Sequence, residues 1–118
     1  MEIRITWTKL DQSAVLEDYF KRKIEHLEHY VKPILAAELE LAHESSHHKK
    51  GKFYRAEARL ALAKKTIYAK EVAEHPFEAI DLLMNHLRSQ IDDYRDKNKI
   101  EHSKRRNLRD KLRLKGLA

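Results

Sequence analysis

Phe77, Ile80, Met84, Leu87, Ile91 and Tyr94 follow one another in alternating steps of three and four residues. That spacing lines one face of a 3.6-residue helix with apolar side chains. Pro76 suits the first turn, where its missing N–H costs no hydrogen bond. A helix with one apolar face is stable in water only when that face is covered by another layer. The rest of the chain must supply it.

The sequence upstream alternates with the period of a strand. Ile3, Ile5 and Trp7 fall on one side of Met1 to Thr8, and Glu2, Arg4, Thr6 and Thr8 on the other, the pattern of a half-buried strand. Asp11 or Ser13 can cap a helix whose face carries Leu16, Phe20, Ile24, Leu27 and Val31, ending ahead of Pro33. A second strand alternates Leu35, Ala37, Leu39 and Leu41 with Ala36, Glu38, Glu40 and Ala42. The polar stretch His43 to Lys52 reads as a long hairpin loop. A third strand carries Tyr54, Ala56, Ala58, Leu60 and Leu62 inward, and a short turn near Ala63 to Lys65 leads to a fourth over Thr66 to Val72. Loops this short join antiparallel neighbours. The expected fold is α+β, in the order β-α-β-β-β-α, with a four-stranded sheet carrying two helices on one face and its other face polar and open to solvent.

Charge divides the chain differently. From Lys97 to the end, nine Lys or Arg stand against two acids, Glu101 and Asp110, a net +7 over 22 residues. The preceding 96 residues hold sixteen basic and seventeen acidic side chains, a net −1. A folded domain over residues 1–96 and a basic tail over 97–118, disordered or helical, is the expected organisation. A segregated block of like charge resists packing and serves as an arm for a polyanion. Nucleic acid is the better candidate, because the tail has no Trp or Phe with which to anchor in a membrane surface. A solvated, solubilising terminus is the plainer alternative.

The domain's length suits one core, stable without disulfide or metal. The chain has no Cys, which removes thiol catalysis and thiolate zinc sites. His43, His47 and His48 lack the carboxylate or Cys partners of a recognised metal site. Asp92 and Asp93 are adjacent on a helix and so do not face one another; Glu38 and Glu40 point out of the sheet. With no nucleophile arrangement and no glycine-rich phosphate loop, neither an enzyme nor a cofactor is expected. Met1 to Leu10 alternates where an export signal needs a continuous apolar run, and no segment has membrane-spanning length, so a soluble cytoplasmic monomer is expected. Tyr54, Tyr68 and Trp7 are placed to stack on bases, although Tyr54 and Trp7 alternate in phase with core residues.

The N-terminal IRITWTKLDQSAVLEDYFKRKIEHLEHY and the later HPFEAIDLLMNHLRSQIDDYRDK resemble the ribosome hibernation promoting factors, also called ribosome-associated inhibitors or sigma-54 modulation proteins. The resemblance covers roughly residues 1–99. It is carried by Leu27 and Tyr30 at the close of the first helix and by Ala79, Ile80, Asp81, Leu83, Leu87 and Gln90 on the second. It implies a factor that binds the small ribosomal subunit through rRNA, occludes the mRNA and tRNA channel and inhibits translation in dormancy or stress. It also implies a short form, without the second domain by which long members pair ribosomes. Lys23, Arg95, Lys97 and Lys99 match basic positions of the family pattern. His26 and His86 stand where Lys is usual, Ser89 where Arg is usual, and Asp93 where Lys is usual. The expected rRNA-binding set is therefore Lys23, His26, His86, Arg88, Arg95, Lys97 and Lys99, joined by Lys104, Arg105, Arg106 and Arg109 of the tail. Two alternatives stand beside this reading. One is a general RNA-binding module, like a double-stranded RNA-binding domain, without ribosome preference. The other is a protein-interaction adaptor using the open sheet face or an edge strand.

Overall fold

A computed structural model describes the backbone of residues 1–44 and 51–114, and the side chains of 1–44 and 51–97. The elements are β1 (Glu2–Thr8), α1 (Ala14–His26), β2 (Ile34–Glu44), β3 (Phe53–Leu62), β4 (Thr66–Ala73) and α2 (Pro76–Leu114). One sheet has the order β1-β2-β3-β4. β1 runs parallel to β2, and the other two pairs are antiparallel. A parallel neighbour needs a crossover, which α1 provides.

Ser13 is the N-cap of α1, its hydroxyl accepting a hydrogen bond from Leu16 N–H at 3.3 Å. The apolar stripe of this helix is buried from Leu16 to Val31. Its last members, however, lie beyond the α-helix proper, which gives way to a 3₁₀ turn over Leu27–His29. Leu27 C=O accepts from both Tyr30 and Val31 N–H, so the chain closes tightly and turns into β2 through a cis Lys32–Pro33 peptide. On α2, Ile80, Leu83, Leu87 and Ile91 are wholly buried against β3 and β4. Phe77, read from the sequence as part of this stripe, is 41% exposed. It stands at the helix start, where its ring meets Tyr19 edge-on at 5.0 Å.

Three other expectations are corrected. Leu35 is 55% exposed while Ile34 is buried, because a register irregularity between Ile34 and Ala36 reverses which side chain faces the helices at the strand entrance. His43 lies within β2, opposite Tyr54, rather than in the loop; His47 and His48 fall outside the described residues. β4 continues one residue further than expected, to Ala73. Trp7 and Tyr54 pack against the core, and Tyr68 is exposed on the other face.

That other face is polar and organised around Arg55. Its Nη1 lies 2.6 Å from Glu40 Oε1 and its Nε 2.5 Å from Glu44 Oε1, and Nη1 also pairs with Glu57. Thr8 Oγ1 donates to Glu40 Oε2 at 2.9 Å. Glu40 is thus held below the usual carboxylate range, chiefly by the Arg55 hydrogen bond, against the opposing effect of burial. Among the described residues no buried side-chain polar atom lacks a partner.

Candidate nucleic-acid interface

Two cross-contacts fix how the helices lie. Tyr19 of α1 meets Phe77 of α2 and donates to Asp81 Oδ1 at 2.5 Å. Tyr30, eleven residues beyond Tyr19, meets Arg88, eleven beyond Phe77, with the guanidinium carbon 3.3 Å from the ring centroid. Equal spacing along both chains means the helices run parallel, side by side, over about three turns. The Asp81 hydrogen bond is the main reason the Tyr19 phenol is pushed up to about 12, with burial adding to it.

Of the residues read as rRNA ligands, Lys23 and His26 lie along this inter-helix groove. Lys23 Nζ is 5.2 Å from the Tyr19 ring centroid, and His26 packs edge-on against His29 and Tyr30. Arg88 also borders the groove, but its charge is engaged by the Tyr30 ring and by Asp92, 3.4 Å from Nε. His86 is on the opposite flank of α2, where Nδ1 is 3.1 Å from Glu71 Oε1 of β4. The fold therefore does not bring His26 and His86 together. Arg95 and Lys97 are exposed at the far end of the packed part of α2. Lys99, Lys104, Arg105, Arg106 and Arg109 belong to the α2 backbone, and their side chains lie outside the described residues.

The exposed helix surface is not a basic stripe. Residues 14–29 and 76–97 contain nine acidic and six basic side chains, a net −3 with His neutral. Cations gather instead at one end of the domain. His86 reaches Glu71, and Gln90 Nε2 donates to Tyr68 C=O at 2.6 Å, so α2 runs antiparallel to β4. Residues 94–97 therefore lie toward the β3–β4 turn. Ile34 pairs with Leu62 across β2 and β3, bringing Lys32 to that same end. Lys32, Lys64, Lys65, Arg95 and Lys97, all exposed, thus form a basic pole at the end from which the charged remainder of α2 departs.

Sequence reasoning missed Lys32, Lys64 and Lys65. The adjacent lysines of a predicted turn were a signal, but their meeting with Arg95 depends on sheet register and helix direction. A cleft of about 670 Å³ opens at this pole, between the segment Tyr30–Lys32 and the α2 residues Asp92, Tyr94, Arg95 and Asp96.

Among the described residues no three His, Cys, Asp or Glu are grouped to hold a metal, and no helix is long and apolar enough to cross a membrane.

Known proteins give the comparison. No curated protein sequence matches the chain. Among solved structures, a ribosomal subunit interface protein from Coxiella burnetii superposes with a TM-score of 0.65 at 23% identity, covering 81% of this chain and 99% of its own. The N-terminal domain of Protein Y from Thermus thermophilus gives 0.68 at 24% identity, covering 80% and 99%. At such identities these likenesses establish a shared fold. The sequence model of one family, described as sigma 54 modulation protein / S30EA ribosomal protein, matches residues 3–99. With most of its length covered by that match, the chain belongs to the sigma 54 modulation protein / S30EA family, a family of ribosome-associated factors.

Proposed function

We propose that the protein is a cytoplasmic ribosome hibernation factor, acting as a monomer and without catalysis. It binds the small ribosomal subunit through rRNA, occupies the mRNA and tRNA channel, and silences translation by occlusion during dormancy or stress. The observation that carries this reading is the basic pole in a chain of a ribosome-associated family: five exposed cations converge where α2 continues into the +7 segment. The domain, residues 1–96, supplies shape and four of the pole's five cations, Lys32, Lys64, Lys65 and Arg95. The segment 97–118 supplies the arm, with Lys97, Lys99, Lys104, Arg105, Arg106 and Arg109 on phosphates. Arg forks contact phosphate bidentately and Lys as a point charge, and both gain affinity from counterion release. Lys23 and His26 extend the contact along the groove, while Arg88 and His86, engaged by Asp92 and Glu71, contribute less.

The test is sedimentation of the protein with ribosomes and separated subunits through sucrose gradients at low and high salt. Comigration with the small subunit that weakens as salt rises is expected. Absence from every ribosomal fraction would refute the reading. Equal competition by an arbitrary RNA duplex would favour the general RNA-binding module, and attachment that survives high salt and nuclease would favour the protein adaptor.

A further inference from the structure

The cleft at the basic pole has a composition that phosphate binding alone does not call for. Tyr30 and Tyr94 are aromatic walls, both half-buried and packed against the core. Arg88 lies over the Tyr30 ring and fixes that wall in place. Lys32 and Arg95 stand at the rim, exposed. Asp92 is engaged by Arg88. The side chains of Lys32, Arg95 and Asp96 and the Tyr94 hydroxyl have no hydrogen bond or ion pair among the described residues. The cleft therefore combines aromatic surface with cations and a carboxylate that no other described residue engages, in a volume of about 670 Å³.

Single-stranded RNA is recognised with such groups. Its unstacked bases are splayed onto aromatic side chains and read by hydrogen bonds to their edges, while cations hold the backbone. A carboxylate accepts hydrogen bonds from ring N–H, exocyclic amines and the ribose 2′-OH, and repels phosphate, so beside an aromatic face it suits the base and sugar of a nucleotide.

We propose that this cleft is a nucleobase pocket: it takes one unstacked base of a single-stranded RNA. The base lies against Tyr94, with Asp96 accepting from its amine and Lys32 and Arg95 holding the flanking phosphates. This rests on the reading that the protein binds RNA, and adds a base-reading site to it.

The probe is a short single-stranded RNA in which a fluorescent aminopurine replaces an adenine; stacking quenches its emission. Quenching at saturation is expected with the wild-type protein and with Tyr94→Phe. Tyr94→Ala should abolish the quenching and weaken binding about 5- to 150-fold, the range of base–aromatic stacking losses. Replacing Lys32 and Arg95 together by Gln should flatten the salt slope by about 1.4, at roughly 0.7 per single-strand phosphate, with quenching at saturation unchanged. The pocket is refuted if the saturated wild-type complex shows no quenching or if Tyr94→Ala quenches fully. It is equally refuted if a duplex of the same sequence binds as tightly as the single strand, because a paired base cannot enter the cleft. A free purine nucleoside monophosphate that binds as tightly as the strand would also overturn it. Sedimentation separates this inference from the function: comigration with the small subunit without quenching refutes the pocket and leaves the hibernation reading standing. Tyr94-dependent quenching without comigration does the reverse.

Discussion

Replacing Arg55 by Met keeps an aliphatic stem of similar reach and removes the guanidinium that Glu40, Glu44 and Glu57 share. Hydrogen bonds to charged groups contribute about 1.5–3 kcal/mol each, and exposed ion pairs about 0.2–1 kcal/mol. The side chains of Arg55, Glu40 and Glu57 are 17%, 28% and 24% exposed, and that of Glu44 is 41%. The Glu40 pair, held further by Thr8, is placed near the lower end of the first range, and the Glu44 and Glu57 pairs, which share the same guanidinium, within the second. Adding the repulsion left among three carboxylates, the expected destabilisation near neutral pH is about 2–4 kcal/mol. Its pH dependence follows from Glu40, whose folded pKa is lowered by the Arg55 hydrogen bond. A depressed carboxylate stabilises the fold above its unfolded pKa, about 4.3, and that contribution disappears as pH falls through the folded value. The wild-type advantage should therefore be widest near neutrality and narrow below about pH 4. Urea unfolding followed by Trp7 fluorescence and far-ultraviolet circular dichroism, at neutral and acid pH, measures both quantities. A neutral-pH loss below about 0.5 kcal/mol, the scale of an ordinary surface substitution, would show that Arg55 is a surface charge rather than the organiser of this face. A pH-independent gap would refute the role given to Glu40.

Other expectations concern binding and packing. Replacing Lys32, Lys64, Lys65 and Arg95 together by Ala should flatten the log-log salt dependence of ribosome binding by about 2.8–3.6, at 0.7–0.9 per phosphate; an unchanged slope would remove the pole from the interface. The triple change Arg105, Arg106 and Arg109→Ala should flatten it by about 2.1–2.7, and the two sets should add if pole and arm bind separate phosphates. Leu87 is fully buried between α2 and the sheet, so Leu87→Ala should cost about 2–5 kcal/mol in urea unfolding, a large share of a typical domain's 5–15 kcal/mol. Tyr19→Phe removes an exposed inter-helix hydrogen bond and should cost no more than about 1 kcal/mol. Because the folded phenol is raised to about 12, its contribution is present below its unfolded pKa, about 10, and lost as pH rises toward the folded value. Wild type should therefore lose stability over that alkaline window while Tyr19→Phe does not.

The element order was legible because each element repeats a local period. Ile3, Ile5 and Trp7 mark a face whatever they pack against, and so do Leu83, Leu87 and Ile91, since burial selects every second strand residue or every third and fourth helical one. Leu35 shows where this fails. Ile34 and Leu35 are equally apolar, and only the slip in pairing with β3 decides which one is covered. The candidate site was less legible still. Lys23 and Arg95 were found through the resemblance, but Arg88 reads as a free cation until Tyr30 and Asp92 are seen to occupy it. His26 and His86 look alike in sequence, yet they lie on opposite flanks of the helix pair.

The α+β class, the two amphipathic helices, the polar outer sheet face and the segregation of a +7 segment from a nearly neutral domain are all written in local pattern. Each of these depends on residues close together in the chain. Folding is what brings Lys32, Lys64, Lys65, Arg95 and Lys97 to one end of the domain and sets Tyr30 and Tyr94 around a cleft there. Those groups come from three separate stretches, and their meeting is set by strand register and by the direction in which α2 crosses the sheet. Periodicity records which face a residue takes, whereas convergence depends on how the faces are assembled.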